Sequence, residues 1–436
     1  MQPSNEPFIL KLPHPYLTTY TATNVAAKDE PVRYQIQQAA IQNKDTGIPP
    51  PTPLHDDTIQ FTKIALLAED STPPAGDNSS WARARRTPHS TISWTGERPS
   101  AAQVWLITYF IISLHPLVES FRIIFDGDDA SALATELYGT GLFIPHPRSL
   151  DPSAASDGHL LLRGTFWQGA GSPFGPRPAW TPMLDANNKP ITAQYPLFPF
   201  QTAPTTQSSV TSRHTSHPVR PAKPAAGSII YSRWIPHLGE HLTFIAVNYR
   251  DPEHLNLFHT WQNDPRVAAG WNETGTLEEH QEYLRKLHED PHVFAVFAAF
   301  EGKLFGYHEL YWVLESPVGA HYQAGLYDRG RSSMVGDSSF RGPARASAWW
   351  SAIVHYFFLD DPRTDAIVGE SRAAASSASS FAYDFAHGFH VVKFLDFPNK
   401  RSALKMVNRE KFFTLSPLVW DGEKAVRPSL DALSKL

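Results

Sequence analysis

Cysteine is absent from this chain of 436 residues. Its absence excludes disulfide bridges, thiolate catalysis and zinc sites with Cys ligands. Long apolar runs are also missing: residues 104–114 form the longest one, which is too short to span a bilayer and predicts a buried helix. Residues 1–13 lack the basic start and apolar stretch of a signal peptide. The sequence therefore predicts neither a membrane partner nor a cleaved leader.

Charge is scarce as well, because Asp, Glu, Lys and Arg make up 19% of the chain and the net charge is -5. A nucleic-acid-binding protein would show a basic footprint, so we expect no nucleic-acid partner. What is abundant is apolar and aromatic material, at 42% and 12% of residues. A chain of this length and composition predicts two domains with cores of their own. The sequence leaves the monomer and the homodimer open.

Composition divides the chain into four segments. Residues 1–166 and 228–416 carry the apolar runs of folded domains. Residues 167–227 are rich in Pro, Ser and Thr and predict a linker or a long excursion, and residues 417–436 predict a flexible tail.

The tail ends in Ser434, Lys435 and Leu436. A terminal Ser-Lys-Leu is an address that the peroxisomal import receptor binds. The sequence therefore predicts that receptor as a partner and the peroxisome as the location. The cytosol is the alternative if the tripeptide is an ordinary terminus.

The segment 228–416 predicts an α+β domain with a mixed central sheet. Its predicted strands and helices alternate along the chain; the strands are 293–300, 304–314, 332–336, 366–369, 391–397 and 403–408, and the helices include 250–263, 277–287, 344–358 and 376–387. Residues 263–271 predict a turn-rich loop. Residues 100–126 repeat the plan of 344–370, an aromatic helix followed by a strand that ends in an acid. The N-terminal α/β domain is thus predicted to be a degenerate copy of the second, with coincidence between common helix–strand units as the alternative.

A basic turn from Phe340 to Ala346 opens the aromatic helix of the second domain. The N–H groups and dipole at a helix N-terminus attract a pyrophosphate. Arg341 and Arg345 add charged donors. The alternative is an ordinary helix start with two solvated arginines.

An acid stands among aromatic residues in the strand 304–314. Alternation places Tyr307, Glu309 and Tyr311 on one face. A buried Glu needs a partner, so Glu309 predicts a contact with the amine of a substrate, or else a structural hydrogen bond.

The segment Gly369–Ala373, GESRA, suggests a different class of site, because it differs at one residue from the nucleophile elbow of hydrolases, G-x-S-x-G. Asp384 and His387 are the available triad partners, but one helix carries both, so a serine hydrolase is a minor alternative.

Several segments between 261 and 413 together resemble the GCN5-related N-acetyltransferase (GNAT) superfamily and, within it, the siderophore hydroxyamine acyltransferases. They are WQNDPRVAAGWNETG, GYHELYW, YDRGR, VGD, FRGPARASAWW, LDDPRTDAIVGE and YDFAHGFHVVKFLDFPNKRSA. They are most similar in kind to the fungal N5-hydroxyornithine transacylases. The resemblance implies a C-terminal GNAT fold that transfers an acyl group, anhydromevalonyl in the peroxisomal branch, from acyl-CoA to N5-hydroxyornithine in hydroxamate siderophore synthesis. An acetyl donor and a degenerate acyl-CoA-binding protein remain alternatives.

The resemblance also implies which residues hold each substrate, with no metal involved. Acyl-CoA is expected on the strand residues Ser333, Met334 and Val335, whose N–H groups would also stabilise the oxyanion, and on the turn residues Arg341, Gly342, Ala344, Arg345 and Ala346. Ala344 stands where the family has Gly, and Pro343 removes one N–H from the turn. The hydroxyornithine site is expected at Trp271, Asn272, Glu273, Glu309 and Tyr311.

The expected catalytic residues are Ser332, Glu370 and Tyr383. The family pairs a His with an acid; the acid position is Glu370, but the His position holds Ser332, and Ser is no general base near neutral pH without a partner. Either Glu370 is the base, directly or through water, or the hydroxylamine needs little help, because its conjugate acid has a pKa well below the value of about 10.4 for Lys. Tyr383 would protonate the departing thiolate, unless it only packs.

Overall fold

The computed structural model describes residues 7–27, 31–39, 47–68, 71–149, 151, 153–154, 157–175, 177–191, 202–204, 215–374, 377–397, 400–416 and 418. The chain divides into two compact units, Met1–Ala179 and Trp180–Leu436. The sequence predicted a linker or excursion at 167–227, and the boundary between the two units falls inside that segment. Trp180 in that segment is fully buried against His355. The predicted tail, with its terminal tripeptide, lies outside the described residues except for Leu418.

The first unit is an eight-stranded sheet with helices. Its strands are β1 Phe8–Lys11, β2 Thr19–Asn24, β3 Arg33–Gln38, β4 Ile59–Thr62, β5 His89–Trp94, β6 Ser120–Asp126, β7 Phe143–Pro145 and β8 His159–Leu162. Its helices are α1 Ser80–Arg85, α2 Ala101–Leu114, α3 Ala130–Gly139 and α4 Arg163–Trp167. The strand order is β1-β2-β3-β4-β5-β6-β8-β7, with β5 and β6 parallel and the other neighbours antiparallel.

The second unit begins with a small two-stranded sheet, β9 Thr202–Pro204 and β10 Ser216–Pro218. Its main strands are β11 Ile229–Ile235, β12 Glu240–Ala246, β13 Val293–Phe300, β14 Lys303–Trp312, β15 Arg329–Val335, β16 Ala366–Arg372, β17 His390–Phe397 and β18 Lys400–Asn408. Its helices are α5 Pro252–Gln262, α6 Pro265–Trp271, α7 Leu277–Glu289, α8 Pro343–Asp360, α9 Ala378–Ala386 and α10 Arg409–Leu415. The order is β11-β12-β13-β14-β15-β16-β18-β17, with β15 and β16 parallel.

The two large sheets have the same topology, strand for strand. In both, the parallel pair is formed by the fifth and sixth strands, and a long helix, α2 or α8, connects them. The α+β class and the repeat that was predicted from 100–126 and 344–370 agree with this order. The units differ between their second and third strands, where the second unit inserts α5, α6 and α7 and the first has the connection 25–32.

The main sheet of the second unit has helices on both faces. Trp349 of α8 packs against His308 on one face, and Phe258 of α5 packs against Tyr307 on the other. Neighbouring residues of β14 therefore point to opposite layers, as the alternation predicted. Within the described part of the chain, none of the helices combines the length and the apolarity that crossing a membrane requires.

One element was predicted wrongly. Residues 263–271 contain helix α6 and not a loop, because Asp264 caps it by accepting a hydrogen bond from the Arg266 N–H, and Pro265 occupies its first position. Asp followed by Pro is a helix start, since Pro lacks the N–H that would otherwise need a partner there. Trp271 is therefore the last residue of a helix, and Asn272 ends it in the left-handed conformation.

Candidate active site

The parallel strands β15 and β16 pair over a short distance and then separate. Their paired residues run from Arg329 opposite Ile367 to Arg331 opposite Gly369, whereas β15 continues to Val335 and β16 to Arg372. Beyond Arg331 the two strands no longer pair with each other, so a wedge-shaped gap opens between them. An extended chain can add to the edge of such a strand through main-chain hydrogen bonds. Ser333, Met334 and Val335, the residues predicted to hold the pantetheine arm, form the β15 side of this gap.

Buried charges hold the elements together at the point where the gap begins. The Asp384 carboxylate of α9 accepts hydrogen bonds from Arg331 of β15, at 2.8 Å, from the Trp350 indole of α8, at 2.7 Å, and from Lys405 of β18. Arg331 also lies 4.4 Å from the Trp350 ring centroid. Burial lowers the pKa of Lys405, and the neighbouring Asp384 opposes that shift. The Asp384 cluster, formed by these four side chains, thus ties β15 and β18 to the helices α8 and α9.

Helix α8 starts beside the gap with an uncapped N-terminus. Gly342 has a φ of 123°, which favours glycine, and no side chain caps the helix. Arg341 is exposed and makes no ion pair with the described residues. Arg345 is already engaged: it pairs with Glu240 at 2.7 Å and lies over the Phe340 ring. Arg341 therefore remains available to a phosphate, whereas the predicted phosphate contact of Arg345 would compete with its partner inside the protein.

The turn residues differ in exposure. Gly342 is exposed, Ala344 is half-buried and Ala346 is buried in the helix. An anion at this helix end would therefore meet the first turn, as the sequence predicted, with Ala346 contributing its backbone rather than its side chain.

Glu309 is half-buried on the opposite face of the sheet and forms the Glu309 group with Tyr283, Tyr307 and Tyr311. Its Oε1 accepts hydrogen bonds from the hydroxyls of Tyr283, at 2.7 Å, and Tyr307, at 3.0 Å. Burial raises the pKa of Glu309, and these two hydrogen bonds counteract the shift by stabilising the charged form. Tyr311 lies on the same face, where Gly330 leaves it room: an added Cβ would be 2.2 Å from its ring.

The loop predicted to cover the substrate lies next to the Glu309 group. The Trp271 ring lies 5.8 Å from the Tyr307 ring, and the Glu273 carbonyl accepts a hydrogen bond from the His280 ring at 2.8 Å. Burial raises the pKa of Glu273, which in turn contributes to raising the pKa of Glu309. The structure thus brings together the residues predicted for the hydroxyornithine site.

Tyr283 was missed by the sequence analysis. It lies on α7, whose start is fixed by a capping box between Thr276 and Glu279. That box sets the helical phase, and the buried residues His280, Leu284 and Leu287 show which face packs inward. The same pattern in the sequence would have placed Tyr283 next to the inward face.

Ser332 and Glu370, two of the predicted catalytic residues, lie on the Glu309 side of the sheet. Ser332 is the cross-strand partner of Glu309, and Glu370 contributes to raising the pKa of Tyr311. Glu370 forms an ion pair with Lys400 of β18 at 2.8 Å. The Glu370 carboxylate is therefore already engaged by a cation of the protein itself.

Tyr383 lies on the other face, on α9. Its ring lies 5.4 Å from the Trp350 ring. Burial raises its pKa, and nearby Arg341 opposes the shift. A phenol that stays protonated suits the predicted acid, but this side chain is not part of the Glu309 group.

The hydrolase triad is not assembled. The Ser371 hydroxyl hydrogen-bonds to Lys405 at 2.8 Å and to Ser380 at 3.2 Å, while the His387 ring hydrogen-bonds to Ser416 at 2.9 Å. Among the described residues no hydrogen bond joins Ser371 to His387. Burial lowers the pKa of Lys405, and its ion pair with Asp384 opposes that shift. The arrangement contradicts a serine hydrolase.

The described residues of the first unit show neither feature of the predicted acyl-CoA site. Its parallel strands pair from His89 opposite Arg122 to Ser93 opposite Asp126, so no gap opens between them. Its long helix α2 has a capping box in which Ser100 and Gln103 use the terminal N–H groups. The two large sheets share a strand order, but the gap and the free helix end occur in the second unit.

The gap, the uncapped helix and the acids beside them define the second unit as a GNAT-type acyltransferase. The family model for the acetyltransferase (GNAT) domain matches residues 251–397. A curated relative in Beauveria bassiana, the N(5)-hydroxyornithine:cis-anhydromevalonyl coenzyme A-N(5)-transacylase SIDF, is 45% identical over 94% of this chain and 93% of its own length. The hydroxyornithine transacylase SID3 of Ajellomyces capsulatus is 44% identical over 93% of both chains. The chain belongs to this family of fungal transacylases and is an acyl-CoA-dependent N-acyltransferase.

A bacterial relative matches a smaller part of the chain. The N(6)-hydroxylysine O-acetyltransferase of Escherichia coli is 34% identical over 203 residues, which cover 46% of this chain and 62% of that protein. The similarity to the fungal relatives, in contrast, extends through both units.

Proposed function

We propose that this enzyme transfers the acyl group of an acyl-CoA, anhydromevalonyl, to the N5 nitrogen of N5-hydroxyornithine, as a step of hydroxamate siderophore synthesis for iron acquisition. The observation that carries the proposal is the 45% identity along 94% of the chain with a transacylase named for both substrates. The strand gap and the Glu309 group lie on neighbouring strands, and this placement supports a meeting of the two substrates at Ser332.

In the proposed reaction each substrate has its own side of the sheet. The pantetheine arm lies along Ser333, Met334 and Val335, and the pyrophosphate meets the start of α8 and Arg341. Strand N–H groups stabilise the oxyanion that forms when the hydroxylamine nitrogen attacks the thioester carbonyl. The C–N bond forms, the C–S bond breaks, and coenzyme A leaves with a proton from Tyr383.

The preferred acyl donor, and whether free thiol is released at all, distinguish this proposal from its alternatives. We would mix the purified chain with N5-hydroxyornithine and either anhydromevalonyl-CoA or acetyl-CoA, then measure free thiol and the iron-binding hydroxamate. A higher kcat/KM with the anhydromevalonyl donor supports the proposal. A higher value with acetyl-CoA favours an acetyltransferase. Binding of acyl-CoA without thiol release from either donor favours a degenerate binding protein.

We also propose that the enzyme acts in peroxisomes and enters through the import receptor. The support is the terminal Ser434–Leu436, which has the sequence of a peroxisomal address. A fluorescent protein fused to the N-terminus is expected to reach peroxisomes with the full chain and to stay cytosolic when these three residues are deleted. A matched control replaces Asp431–Leu433 with alanines and keeps the address. Cytosolic fluorescence of the full chain would contradict the proposal.

A further inference from the structure

The proposed reaction requires a residue that removes the proton from the attacking nitrogen. Ser332 stands where the sequence analysis expected a histidine, and a hydroxyl is a poor base near neutral pH. Glu370, the other candidate, is held by Lys400 at 2.8 Å. Neither of the residues that sequence reasoning favoured therefore has the surroundings of a base.

Glu309 has the placement that these two residues lack. It lies directly across from Ser332 in the ladder of β14 and β15, so their side chains share a face. Ser332 is also the first residue beyond the last paired position of β15 and β16, where the gap begins. The backbone thus places the Glu309 side chain one strand away from the start of the acyl-CoA gap.

The hydrogen bonds of Glu309 leave one of its oxygens open. Both tyrosine hydroxyls, from Tyr283 and Tyr307, donate to Oε1. Within the described part of the chain Oε2 accepts no hydrogen bond, and no cation pairs with the carboxylate. The side chain also keeps some exposed surface. A carboxylate held at one oxygen and open at the other is oriented to accept a proton from a ligand.

We propose that Glu309 is the general base of this enzyme and accepts the proton of the attacking hydroxylamine nitrogen. The inference rests on the proposed function for the nature of that nucleophile. As the nitrogen forms its bond to the thioester carbon, its N–H proton moves to Oε2 of Glu309. The C–S bond then breaks and the sulfur receives a proton from Tyr383. With product release Glu309 returns its proton to solvent and the Tyr383 phenolate takes one up from solvent.

The charges around Glu309 suit this task. Burial raises its pKa, Glu273 in the covering loop adds to the rise, and the hydroxyls of Tyr283 and Tyr307 limit it. The other ionisable side chains on this face are Tyr311 of β14 and Glu370 of β16, and Glu370 is paired with Lys400. Burial raises the pKa of the Tyr311 phenol, and Glu370 adds to that rise. A carboxylate whose pKa lies above its ordinary value accepts a proton more readily, and the protonated hydroxylamine nitrogen is acidic enough to give one up, because its pKa lies well below that of a Lys ammonium.

The first test removes the Glu309 carboxylate and places a new base on the facing strand. We expect Glu309→Gln to lower kcat by about a hundredfold or more, which is typical when a general base is lost. Adding Ser332→His to that variant is expected to restore at least tenfold of the lost kcat, because the imidazole would stand on the facing strand. Glu289→Gln, on an exposed part of α7, is the matched control and is expected to retain wild-type rates. A Glu309→Gln variant that keeps kcat and raises the KM for the acceptor would overturn the proposal and indicate amine binding instead.

The second test uses the pH profile and does not depend on the loss of activity. Tyr283→Phe removes a hydrogen bond that lowers the pKa of Glu309. The acid limb of kcat is therefore expected to move to higher pH in this variant. An unmoved limb would contradict the assignment.

Running every variant with free hydroxylamine as a second acceptor separates the two proposals. If the wild type acylates hydroxylamine but not N5-hydroxyornithine, the proposed acceptor is wrong, and the same variants still decide the role of Glu309. If the wild type acylates neither, the general-base role falls together with the proposed function. Acylation of N5-hydroxyornithine that Glu309→Gln leaves unchanged overturns the role of Glu309 alone.

Discussion

Arg341 and Arg345 lie four residues apart at the start of α8 but have different surroundings. Arg341 is exposed beside the uncapped helix end, whereas Arg345 pairs with Glu240 and packs on the Phe340 ring. At the level of single residues, the sequence predicted two equivalent phosphate contacts. The structure favours one, because Glu240 comes from a strand far away in sequence and its approach to Arg345 depends on the folded sheet.

We expect Arg341→Gln to raise the KM for acyl-CoA by about tenfold, equivalent to about 1.4 kcal/mol, with little change in kcat. The lost interaction is a charged hydrogen bond to phosphate, which is made before and during the reaction. Initial rates at varied acyl-CoA and varied salt would measure it, since salt should narrow the difference between wild type and variant.

Arg345→Gln serves as the matched control. It is expected to cost up to about 1 kcal/mol of folding free energy, because its ion pair is partly exposed, and to change the KM less than Arg341→Gln. A larger KM effect for Arg345→Gln would reverse the assignment of the phosphate contact.

The candidate catalytic residues show how much of the site the sequence alone predicts. Alternation along β14 was sufficient to place Glu309 beside Tyr307 on one face, and the structure confirms it. The sequence could not supply Lys400 as the partner of Glu370, because that contact joins β16 to the start of β18 across an antiparallel pair. Local periodicity determines which face a residue occupies, whereas its charged partners depend on long-range strand order.

The wedge between β15 and β16 is the element on which the proposed acyl-CoA site depends, and the Asp384 cluster lies where the wedge starts. The carboxylate faces Arg331 and Lys405, and all three side chains are buried. The strands themselves were predicted from the sequence. The place where they separate was not, because it follows from side chains on α8, α9 and β18.

We expect Asp384→Asn to lower the free energy of unfolding by about 3–5 kcal/mol, since two buried cations would lose their counter-charge. Urea unfolding followed by tryptophan fluorescence would measure the change.

Asp396→Asn is the matched control, because Asp396 faces Arg401 at 3.7 Å and both side chains are largely exposed. It is expected to change stability by less than about 0.5 kcal/mol. Equal effects of the two substitutions would show that the Asp384 cluster does not anchor the wedge.

At the scale of the whole molecule, the described residues form two large sheets with the same strand order, and the wedge between parallel strands occurs in the second unit. Weak resemblance between 100–126 and 344–370 was enough to predict the repeat. The loss of the site in the first unit could be predicted in part, from the missing basic turn. The closed strand pair from His89 to Asp126 could not, because register is a property of the folded sheet.

We therefore expect the full chain to bind one acyl-CoA molecule, as measured by titration calorimetry. Ser100→Ala, which removes the cap of α2 in the first unit, is expected to cost about 1 kcal/mol of stability and to leave the affinity for acyl-CoA unchanged. A stoichiometry of two, or a loss of affinity in Ser100→Ala, would show that the first unit binds the cofactor after all.

The most direct test of the central claim is the product of a single reaction. The purified chain is incubated with N5-hydroxyornithine and anhydromevalonyl-CoA, and mass spectrometry identifies where the acyl group is attached. The account predicts free coenzyme A and a hydroxamate acylated on N5, in equal amounts, with no product from unhydroxylated ornithine. Acyl transfer to the hydroxyl oxygen, or thiol release that continues without any acceptor, would contradict it.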